Sequence, residues 1–412
     1  MLYQSSNIRY RLADILRKHW WLFFNQYKQW IRPVVIDTVK KIINCRTYVL
    51  GFHLYECDNC GHRVIIPHSC KSRFCSICGK VYTDQWAAEI LNDLIDVAYH
   101  HLVFTIPWEL RPIALLNRKV VFNILFQAAV KSIQDWAISQ HQMRMGIIGV
   151  LHTFGSQLTF HPHIHVIVTG GGLSIDGTRW IKTDPKFLMP HAGLKKRWRY
   201  NVTALLRKAH KKGQFRFNQK TACLKQYKCF NGLLNKIYQY TWYVFIGASL
   251  LDPTMSVKYI GRYTKRAVLA EYRIVYCDDK VIRFRYKDYA DNSKPKYKTL
   301  YIFGFIARLI RHIPDESFPM IRHCGIFANK YKAKYLSTVR RLLGQSEPNQ
   351  QCQTTEMPNW RQRQTALTGK DPLRCPYCHQ EMSLVAILFG CHEHLKQIWD
   401  SVCHQPPILK PG

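Results

Sequence analysis

The segment "FHPHIHVIVTGGGL" at residues 160–173 decides the fold. His161, His163 and His165 occupy alternate positions in it, and an apolar run and three glycines follow them. Because alternate side chains of a β-strand lie on the same face, this pattern predicts a strand that carries three imidazoles in a row. The uniformly apolar "VIV" directly after them is typical of a strand in the centre of a sheet.

The neighbouring segments complete an α+β pattern around this strand. "GIIGVLHTFG" predicts a second strand, joined to the first at Gly155 and Ser156, so that the two form a hairpin. "HHLVFTIP" and the segment 273–303 predict further strands, whereas residues 1–45 and 117–140 have helical periods. We therefore expect a central antiparallel sheet flanked by helices, preceded by an N-terminal helical module.

The chain has a large excess of positive charge. Its 412 residues include 60 Lys and Arg against 26 Asp and Glu, which gives a formal net charge of +34. Such an excess favours nucleic acid as the partner, with an anionic membrane surface as the alternative. No apolar run reaches the roughly 18 residues of a membrane span, and the N-terminus lacks the pattern of a signal peptide. We therefore expect a cytoplasmic protein without a membrane partner.

One segment concentrates this charge, since no Asp or Glu occurs between Asp184 and Asp252. Its helical period interleaves basic residues with aromatic ones such as Trp198 and Tyr200, a combination that favours contact with a phosphate backbone and with bases. The alternative is an ordinary solvated helix face. The candidate DNA contacts in this segment are Lys195, Lys196, Arg197, Arg199, Arg207, Lys208, Lys211 and Lys212.

The cysteines predict a structural zinc site. In a cytoplasmic chain the 15 cysteines are not expected to form disulfides, and Cys57, Cys60, Cys75 and Cys78 form two CxxC pairs. Two such pairs supply the four thiolates of a closed tetrahedral Zn²⁺ site. Cys70 lies between the pairs and could replace one of the four. A redox dithiol is the alternative.

The C-terminal tail has a weaker cysteine pattern. A further CxxC pair, Cys375 and Cys378, could form half of a second zinc site. The spacing to the other half is irregular, so the sequence leaves its completion open. The possible completing residues are Cys391, His392, His394 and Cys403.

His163 and His165 are a candidate metal platform. On one strand face their imidazoles are about 6 to 7 Å apart along the chain. With open coordination positions they suit a divalent ion such as Mg²⁺ or Mn²⁺ that acts as a Lewis acid on phosphate. The alternative is that these two and His161 form the polar outer face of a half-buried strand.

Two tyrosines provide a candidate nucleophile. Tyr259 and Tyr263 in "KYIGRYTKRA" are four residues apart on a predicted helix and so share one face of it. Because the pKa of tyrosine is near 10, attack on phosphorus benefits from cations that stabilise the phenolate. The alternative is an aromatic face packed on the core. The basic residues around the pair, also candidate DNA contacts, are Lys258, Arg262, Lys265 and Arg266.

These motifs, in this order, resemble a known family. "HPHIHVIV" with a downstream "YIGRYTKR" is similar to the HUH single-strand endonucleases, and the whole chain resembles the rolling-circle transposases of the insertion-sequence-91 family. "CRTYVLGFHLYECDNCG" and "SCKSRFCSIC" are similar to that family's N-terminal zinc-binding domain. "FTIP", "FRYKDYADNSKPKYKTL" and "HCGIFANKYK" extend the resemblance over residues 40–345.

The resemblance implies roles for the site residues. His163 and His165 fall on the family's metal-binding pair, and Tyr259 and Tyr263 fall on its nucleophiles. Related enzymes take a third metal ligand from a polar residue shortly before the histidine pair. That position points to Gln157, with His161 or His152 as alternatives.

The resemblance also implies a reaction: cleavage of single-stranded DNA at insertion-sequence ends through a 5′-phosphotyrosine intermediate, followed by strand transfer. The expected location is the bacterial cytoplasm, at the nucleoid. A plasmid replication initiator or relaxase with the same chemistry and a non-catalytic zinc-dependent DNA-binding protein are the alternatives. The number of subunits is not predicted.

The implied domain order begins with a helical and zinc-binding, DNA-recognising domain at 1–95. An HUH-like catalytic domain follows at 96–275, and a β and helical extension of it at 276–345. Residues 346–412 are expected to form a linker and the tail that contains Cys and His.

Overall fold

The computed structural model describes residues 10–79, 90, 93–184, 188–250, 268–288, 291–346, 359–390 and 393–403. Its α-helices are α1 (Leu12–Tyr27), α2 (Pro33–Ile43), α3 (Arg111–Leu116), α4 (Arg118–His141), α5 (His191–Lys211), α6 (Tyr227–Tyr238), α7 (Ile302–Ile310), α8 (Lys332–Leu343), α9 (Trp360–Thr368) and α10 (Glu393–Cys403). Its strands are β1 (Phe52–Glu56), β2 (Arg63–Pro67), β3 (Tyr99–Thr105), β4 (Met143–Phe154), β5 (Phe160–Ser174), β6 (Trp180–Lys182), β7 (Val244–Leu250), β8 (Ile274–Cys277), β9 (Val281–Asp288), β10 (Lys294–Tyr301), β11 (Ile321–Gly325) and β12 (Ser383–Leu388).

Two helix boundaries follow directly from the local sequence. α2 begins at Pro33, whose fixed φ fits the first turn of a helix and whose missing N–H is not needed there. α8 ends before Gly344, which has a φ of 65°. Glycine adopts this left-handed conformation at a helix end without a steric penalty from Cβ.

An antiparallel sheet with the strand order β11-β4-β5-β3-β7 forms the centre of the described chain, and β6 pairs with the far end of β5. The predicted hairpin is confirmed, since β4 and β5 pair along most of their length, with His152 directly opposite His163. β3, the strand within "HHLVFTIP", pairs with the other edge of β5. The α+β class with a central antiparallel sheet flanked by helices is therefore confirmed.

One face of this sheet is covered by α4, α5 and α6. Ile164, Val166 and Val168 of β5 pack in the same buried cluster as the apolar residues of these helices. Trp198 of α5 is fully buried there, and its indole N–H donates to the carbonyl oxygen of Thr105 at 2.8 Å. The basic helix α5 is thus fixed to this face by an aromatic anchor.

The opposite face carries the histidine row. Because side chains alternate along a strand, His163, His165 and Ile167 point away from α5. Ile167 packs instead with Val150 of β4 and with the apolar residues of α8. The candidate metal platform and the basic helix α5 therefore lie on different faces of the sheet.

A second core joins the N-terminal helices to the C-terminal half of the chain. α1, α2, α7 and β9 bury a continuous cluster that includes Trp20, Phe284 and Phe305. Burying each large apolar side chain contributes about 1.5–3 kcal/mol. Cys45 and Cys75 belong to the same cluster, so this core extends to the cysteine-rich region.

A small sheet with the order β12-β1-β2 is built from both ends of the chain. β1 pairs with β2 on one side and with β12 on the other, which places Phe52 opposite both Pro67 and Leu388. α10 covers this sheet, and the rings of Trp399 and Phe52 meet edge to face with centroids 5.6 Å apart. β12 and α10 therefore pack on the N-terminal module.

Among the residues with described coordinates, no helix combines the length and apolar character that crossing a bilayer requires.

Candidate active site and metal centres

Three histidines converge on the central sheet. His152 of β4 faces His163 and His165 of β5, and one ring nitrogen of each lies within 4.8 Å of the other two. The ring centroids of His152 and His165 are 4.5 Å apart, and those of His163 and His165 are 4.9 Å apart. Two nitrogens at about 2.1 Å from a shared ion lie about 3 to 4 Å apart. Small side-chain rotations therefore suffice to place all three on one ion.

Hydrogen bonds select the ring nitrogens that face this centre. Nδ1–H of His163 donates to the carbonyl oxygen of His161 at 2.7 Å, which leaves Nε2 as its ligand atom. Nδ1 of His165 lies 2.9 Å from Nε2 of His101, and the two rings are stacked with centroids 5.1 Å apart. His101 on β3 thus orients His165 from the neighbouring strand. His101 was not predicted as a site residue, although it is one of the two adjacent histidines of "HHLVFTIP".

The electrostatics of this centre keep the imidazoles neutral. Burial lowers the pKa of His163 to about 4 and that of His161 to about 3. Burial, reinforced by the neighbouring imidazoles, holds the pKa of His165 well below its ordinary value. Neutral imidazole is the form that binds a metal ion. The centre is therefore ready for a divalent cation at neutral pH.

The structure brings one of the alternative third ligands to the histidine pair. His152, an alternative in the sequence analysis, completes the three-histidine cluster. His161 is not a member of it, and instead its carbonyl oxygen accepts the hydrogen bond from His163. Gln157 lies in the turn between β4 and β5, and its role as a ligand stays a prediction.

A cationic residue that the sequence analysis missed lies beside the histidines. Arg111 begins α3, and its charge contributes to lowering the pKa of both His161 and His163. Its Nε is buried and has no hydrogen-bond partner among the residues that the structure describes. A guanidinium with unused donor capacity next to a metal centre suits an anionic ligand. "WELRP" has no spacing pattern that would have revealed it.

A first cysteine cluster consists of Cys45, Cys70, Cys75 and Cys78. The Sγ–Sγ distances are 3.6 Å for Cys45–Cys78, 3.7 Å for Cys70–Cys78 and 3.8 Å for Cys75–Cys45. Four sulfurs at about 2.3 Å from a tetrahedral zinc ion are about 3.8 Å apart, so this donor set fits Zn²⁺. Cys70, expected as a surplus ligand, is a full member, and Cys45 was not predicted.

A second cluster contains Cys57 and Cys60, which lie in the turn between β1 and β2 and face Cys375 and Cys378 of the tail. The structure therefore corrects the expectation of a single site made from Cys57, Cys60, Cys75 and Cys78. A CxxC spacing identifies a pair of cysteines that converge, but it does not say which two pairs meet. Of the other tail candidates, His394 and Cys403 are outside the cluster, whereas 391 and 392 lie outside the described residues.

The predicted DNA contacts of α5 divide into two groups. Arg197, Arg199 and Arg207 are engaged within the protein: Arg197 contacts Ser139, Arg199 lies over the ring of Tyr238, and Arg207 donates to Asn231. The lysines extend outward. The exposed ones are Lys196, Lys208, Lys211 and Lys212, and Lys195 is half-buried.

A cleft between α4 and α5 gathers part of this charge. Its volume is about 570 Å³, and Lys119, Lys208 and Lys212 line it together with neutral residues. Trp198, expected among the exposed aromatics, is instead buried, whereas Tyr200 is exposed. The lysines, and not the aromatic residues, are therefore the main candidates for phosphate contact on this helix.

The candidate nucleophiles lie outside the described residues. These are Tyr259 and Tyr263, together with Lys258, Arg262, Lys265 and Arg266 around them. Their roles stay predictions from the sequence.

His312 gives the fold a defined dependence on pH. The buried His312 ring contacts the hydroxyl of Thr153 through Nδ1, and its Nε2–H donates a hydrogen bond to the carbonyl oxygen of Leu158. Burial lowers the pKa of His312 to about 3. Between pH 6.5 and 3 the unfolded chain therefore binds a proton that the folded chain does not. The free energy of unfolding falls with decreasing pH in this window, by at most about 1.4 kcal/mol per pH unit for this group.

We expect His312→Gln, which retains hydrogen-bonding capacity but cannot titrate, to flatten this dependence. Urea unfolding of the wild type and the variant at several pH values between 5 and 7.5 measures how the free energy of unfolding changes with pH. Subtracting the variant's slope from the wild-type slope removes the contributions of other titrating groups. Equal slopes would contradict the assignment.

The geometry defines the class of protein: an α+β, strongly basic protein that has one histidine cluster and two cysteine clusters suited to metal ions within the part of the chain that the structure describes. Two family models match the chain. The model described as "Putative transposase" matches residues 146–334, and the one described as "Transposase zinc-binding domain" matches residues 15–106. The second match contains all four cysteines of the first cluster, which supports zinc as a structural ion there.

Two curated proteins are similar over nearly the whole chain. A "Putative transposase" of Sinorhizobium fredii is 34% identical, with 95% of this chain and 98% of that protein covered. The transposase for insertion sequence element IS801 of Pseudomonas savastanoi pv. phaseolicola is 31% identical, with 87% of this chain and 85% of that protein covered. No solved structure gives a significant match. The chain belongs to the insertion-sequence-91 family of transposases.

Proposed function

We propose that this transposase cleaves and rejoins single-stranded DNA at insertion-sequence ends, with Tyr259 or Tyr263 as the nucleophile and a divalent ion at His152, His163 and His165. The observation that carries the proposal is the convergence of these three imidazoles on one face of the central sheet. This arrangement is unlike that of a structural zinc site, because three protein ligands leave coordination positions open for a phosphate.

The histidine centre offers three imidazole ligands to a divalent ion, and Mg²⁺ or Mn²⁺ is the ion that we propose for the reaction on phosphate. When bound, such an ion polarises the scissile phosphate and stabilises the charge that develops on it. The protein's own contribution is to hold the ligands: the His161 carbonyl fixes the ring of His163, and His101 fixes that of His165. Neither ring has to lose a proton before it binds the ion.

Arg111 is the candidate partner of the scissile phosphate within the protein. Its charge acts on His161 and His163, and its buried Nε has no hydrogen-bond partner among the described residues. A charge-assisted hydrogen bond from this group to a phosphate oxygen would fix the phosphate next to the ion. The same contact gives the buried Nε–H of Arg111 a hydrogen-bond acceptor in place of the water that burial has removed.

The proposed reaction exchanges one phosphodiester for another. The phenolic oxygen of Tyr259 or Tyr263 forms a bond to phosphorus, its proton goes to a base or to water, and the 3′ oxygen of the preceding nucleotide leaves and takes up a proton. The products are a 5′-phosphotyrosine and a free 3′-OH. Because the phosphodiester energy is conserved in the covalent link, a 3′-OH can attack it in the reverse sense and rejoin the strand without ATP.

The double substitution Tyr259→Phe and Tyr263→Phe is expected to abolish covalent adducts. The measurement is incubation with Mg²⁺ or Mn²⁺ and labelled single strands that contain the element's own termini, followed by denaturing electrophoresis and mass mapping of the adduct. Phenylalanine retains the ring but lacks the attacking oxygen, so DNA affinity should be unchanged.

Tyr200→Phe is the matched control, because this exposed tyrosine lies on α5, on the other face of the sheet from the histidines. It should form adducts at the wild-type level. Undiminished adducts in the double variant would refute the tyrosine assignment. A wild-type protein that binds DNA but cleaves nothing with any divalent ion would instead indicate a non-catalytic binding role.

A further inference from the structure

We infer that the chain holds a second structural zinc ion, bound by Cys57 and Cys60 of the N-terminal module and by Cys375 and Cys378 of the tail. The match to the zinc-binding domain ends at residue 106, so it omits the segment that supplies half of these ligands. The inference is independent of the proposed cleavage reaction.

The turn at Cys57 has the hydrogen bonds of a metal-binding knuckle. The N–H of Cys57 donates to the carbonyl oxygen of His62 at 2.9 Å, and the N–H of Gly61 donates to the carbonyl oxygen of Cys57 at 2.8 Å. Gly61 has a φ of 67°, a conformation that glycine adopts at no steric cost. This tight turn directs the two sulfurs of the pair to the same side.

The turn at Cys375 repeats this backbone arrangement position by position. The N–H of Cys375 donates to the carbonyl oxygen of Gln380 at 2.9 Å, and the N–H of His379 donates to the carbonyl oxygen of Cys375 at 3.0 Å. His379 has a φ of 60°, at the position equivalent to Gly61. A residue with a Cβ is uncommon there, so the turn keeps the knuckle geometry despite a local steric cost. Two equivalent knuckles facing each other are typical of a zinc ribbon.

The sulfur positions fit one ion better than two disulfides. The Sγ–Sγ distances are 3.3 Å for Cys57–Cys378, 3.5 Å for Cys60–Cys375 and 3.7 Å for Cys60–Cys378. A disulfide would bring two sulfurs to about 2.05 Å and separate them from the other pair. Here Cys378 is close to both cysteines of the first knuckle, as in a tetrahedron with edges of about 3.8 Å. Four thiolates leave no open position, so the ion would be structural.

The surroundings hold the two knuckles against each other. β12 pairs with β1 directly beside the cluster, and the hydroxyl of Ser383 donates to Asp58 at 2.6 Å. The rings of His62 and Tyr377 pack edge to face, with centroids 4.8 Å apart. Cys57 and Cys375 are fully buried, which excludes solvent from their two sulfurs, whereas Cys60 and Cys378 are half-buried. The tail is therefore a structural part of the zinc-binding module.

The metal content of the purified full-length chain tests the inference. We expect two zinc ions per chain in the wild type and one in the Cys375→Ser/Cys378→Ser variant. Replacing zinc with cobalt should give the visible absorption of tetrahedral four-thiolate coordination at both cysteine clusters. The intensity of this absorption should halve in the Cys375→Ser/Cys378→Ser variant. The matched control is Cys223→Ser/Cys229→Ser, which removes two exposed cysteines outside both clusters and should keep two ions.

The number of four-thiolate sites in the wild type, read from the cobalt absorption, decides the question even if the double variant fails to fold, because a metal ion held by the three histidines does not give that absorption. One four-thiolate site per wild-type chain, or a second site filled by iron, would overturn the inference. So would thiol titration that finds Cys57, Cys60, Cys375 and Cys378 oxidised in the folded protein. Undiminished four-thiolate absorption in a folded Cys375→Ser/Cys378→Ser variant would show that the tail is not the source of the ligands.

Discussion

Alanine in place of His163 is expected to lower the rate of single-strand cleavage by about a thousand-fold. The imidazole is one of three that converge on the proposed divalent ion, and its Nε2 is preset as a ligand by the bond from Nδ1–H to the His161 carbonyl. An ion that polarises phosphate contributes several kcal/mol to the transition state, and about 4 kcal/mol corresponds to this factor. Single-turnover cleavage of an end-derived oligonucleotide measures it.

His101→Gln should have a smaller effect, because His101 touches His165 and not the ion. Loss of such an orienting contact typically costs about 10- to 100-fold in metal affinity. We therefore expect weaker Mn²⁺ binding by electron paramagnetic resonance and a cleavage rate that recovers at high Mn²⁺. His161→Ala, outside the three-histidine cluster, is the control and should bind Mn²⁺ within a few-fold of wild type. A His163→Ala protein that cleaves at the wild-type rate would remove the histidine centre from the mechanism.

Serine in place of Cys78 is expected to unfold the N-terminal module. The first cysteine cluster, to which Cys78 belongs, lies in the same buried core as α1, α2 and α7. Structural zinc contributes about 10–16 kcal/mol to small metal-binding folds, which exceeds or matches the total stability of a typical domain. Hydrogen bonds from the Cys45 and Cys70 thiols lower the pKa of Cys78, so serine also removes a sulfur whose thiolate form the cluster favours.

The zinc content of the full-length variant, and limited proteolysis with cleavage sites mapped to residues 10–79, measure the unfolding of the N-terminal module. The variant should lose one zinc, become sensitive to protease within this segment and lose recognition of the element's ends. Cys229→Ser, at an exposed site on α6, should behave as wild type. A Cys78→Ser protein with unchanged zinc content and protease resistance would show that the first cluster does not hold the ion.

Local patterns predicted the strand that carries the histidines, because the period of a strand fixes which side chains share a face. The alternation around His163 gave both the central strand and its row of imidazoles. The contributions of His152 and His101 depend on the register of β4 and β3 against β5. The sequence of a single strand does not contain that register.

Long-range pairing explains the error in the cysteine assignment. Both N-terminal CxxC pairs were recognised, but the partner of Cys57 and Cys60 is separated from them by more than three hundred residues. On α5 the helical period was predicted, whereas the burial of Trp198 was not, because the interleaving of aromatic with basic residues does not say which aromatic side chains face the core. In both cases the local structure, a CxxC pair or a helix, was predicted correctly. The distant residues that pack against it were not predictable from the local sequence.

The pairing of β1 with β12 links the folding of this protein to the order of its synthesis. While the chain is still being translated, β1 and β2 have emerged from the ribosome long before the residues that form the third strand of their sheet. Pairings between such distant segments form late. A prematurely terminated polypeptide therefore never completes the sheet, and only a finished transposase molecule acquires its full N-terminal module.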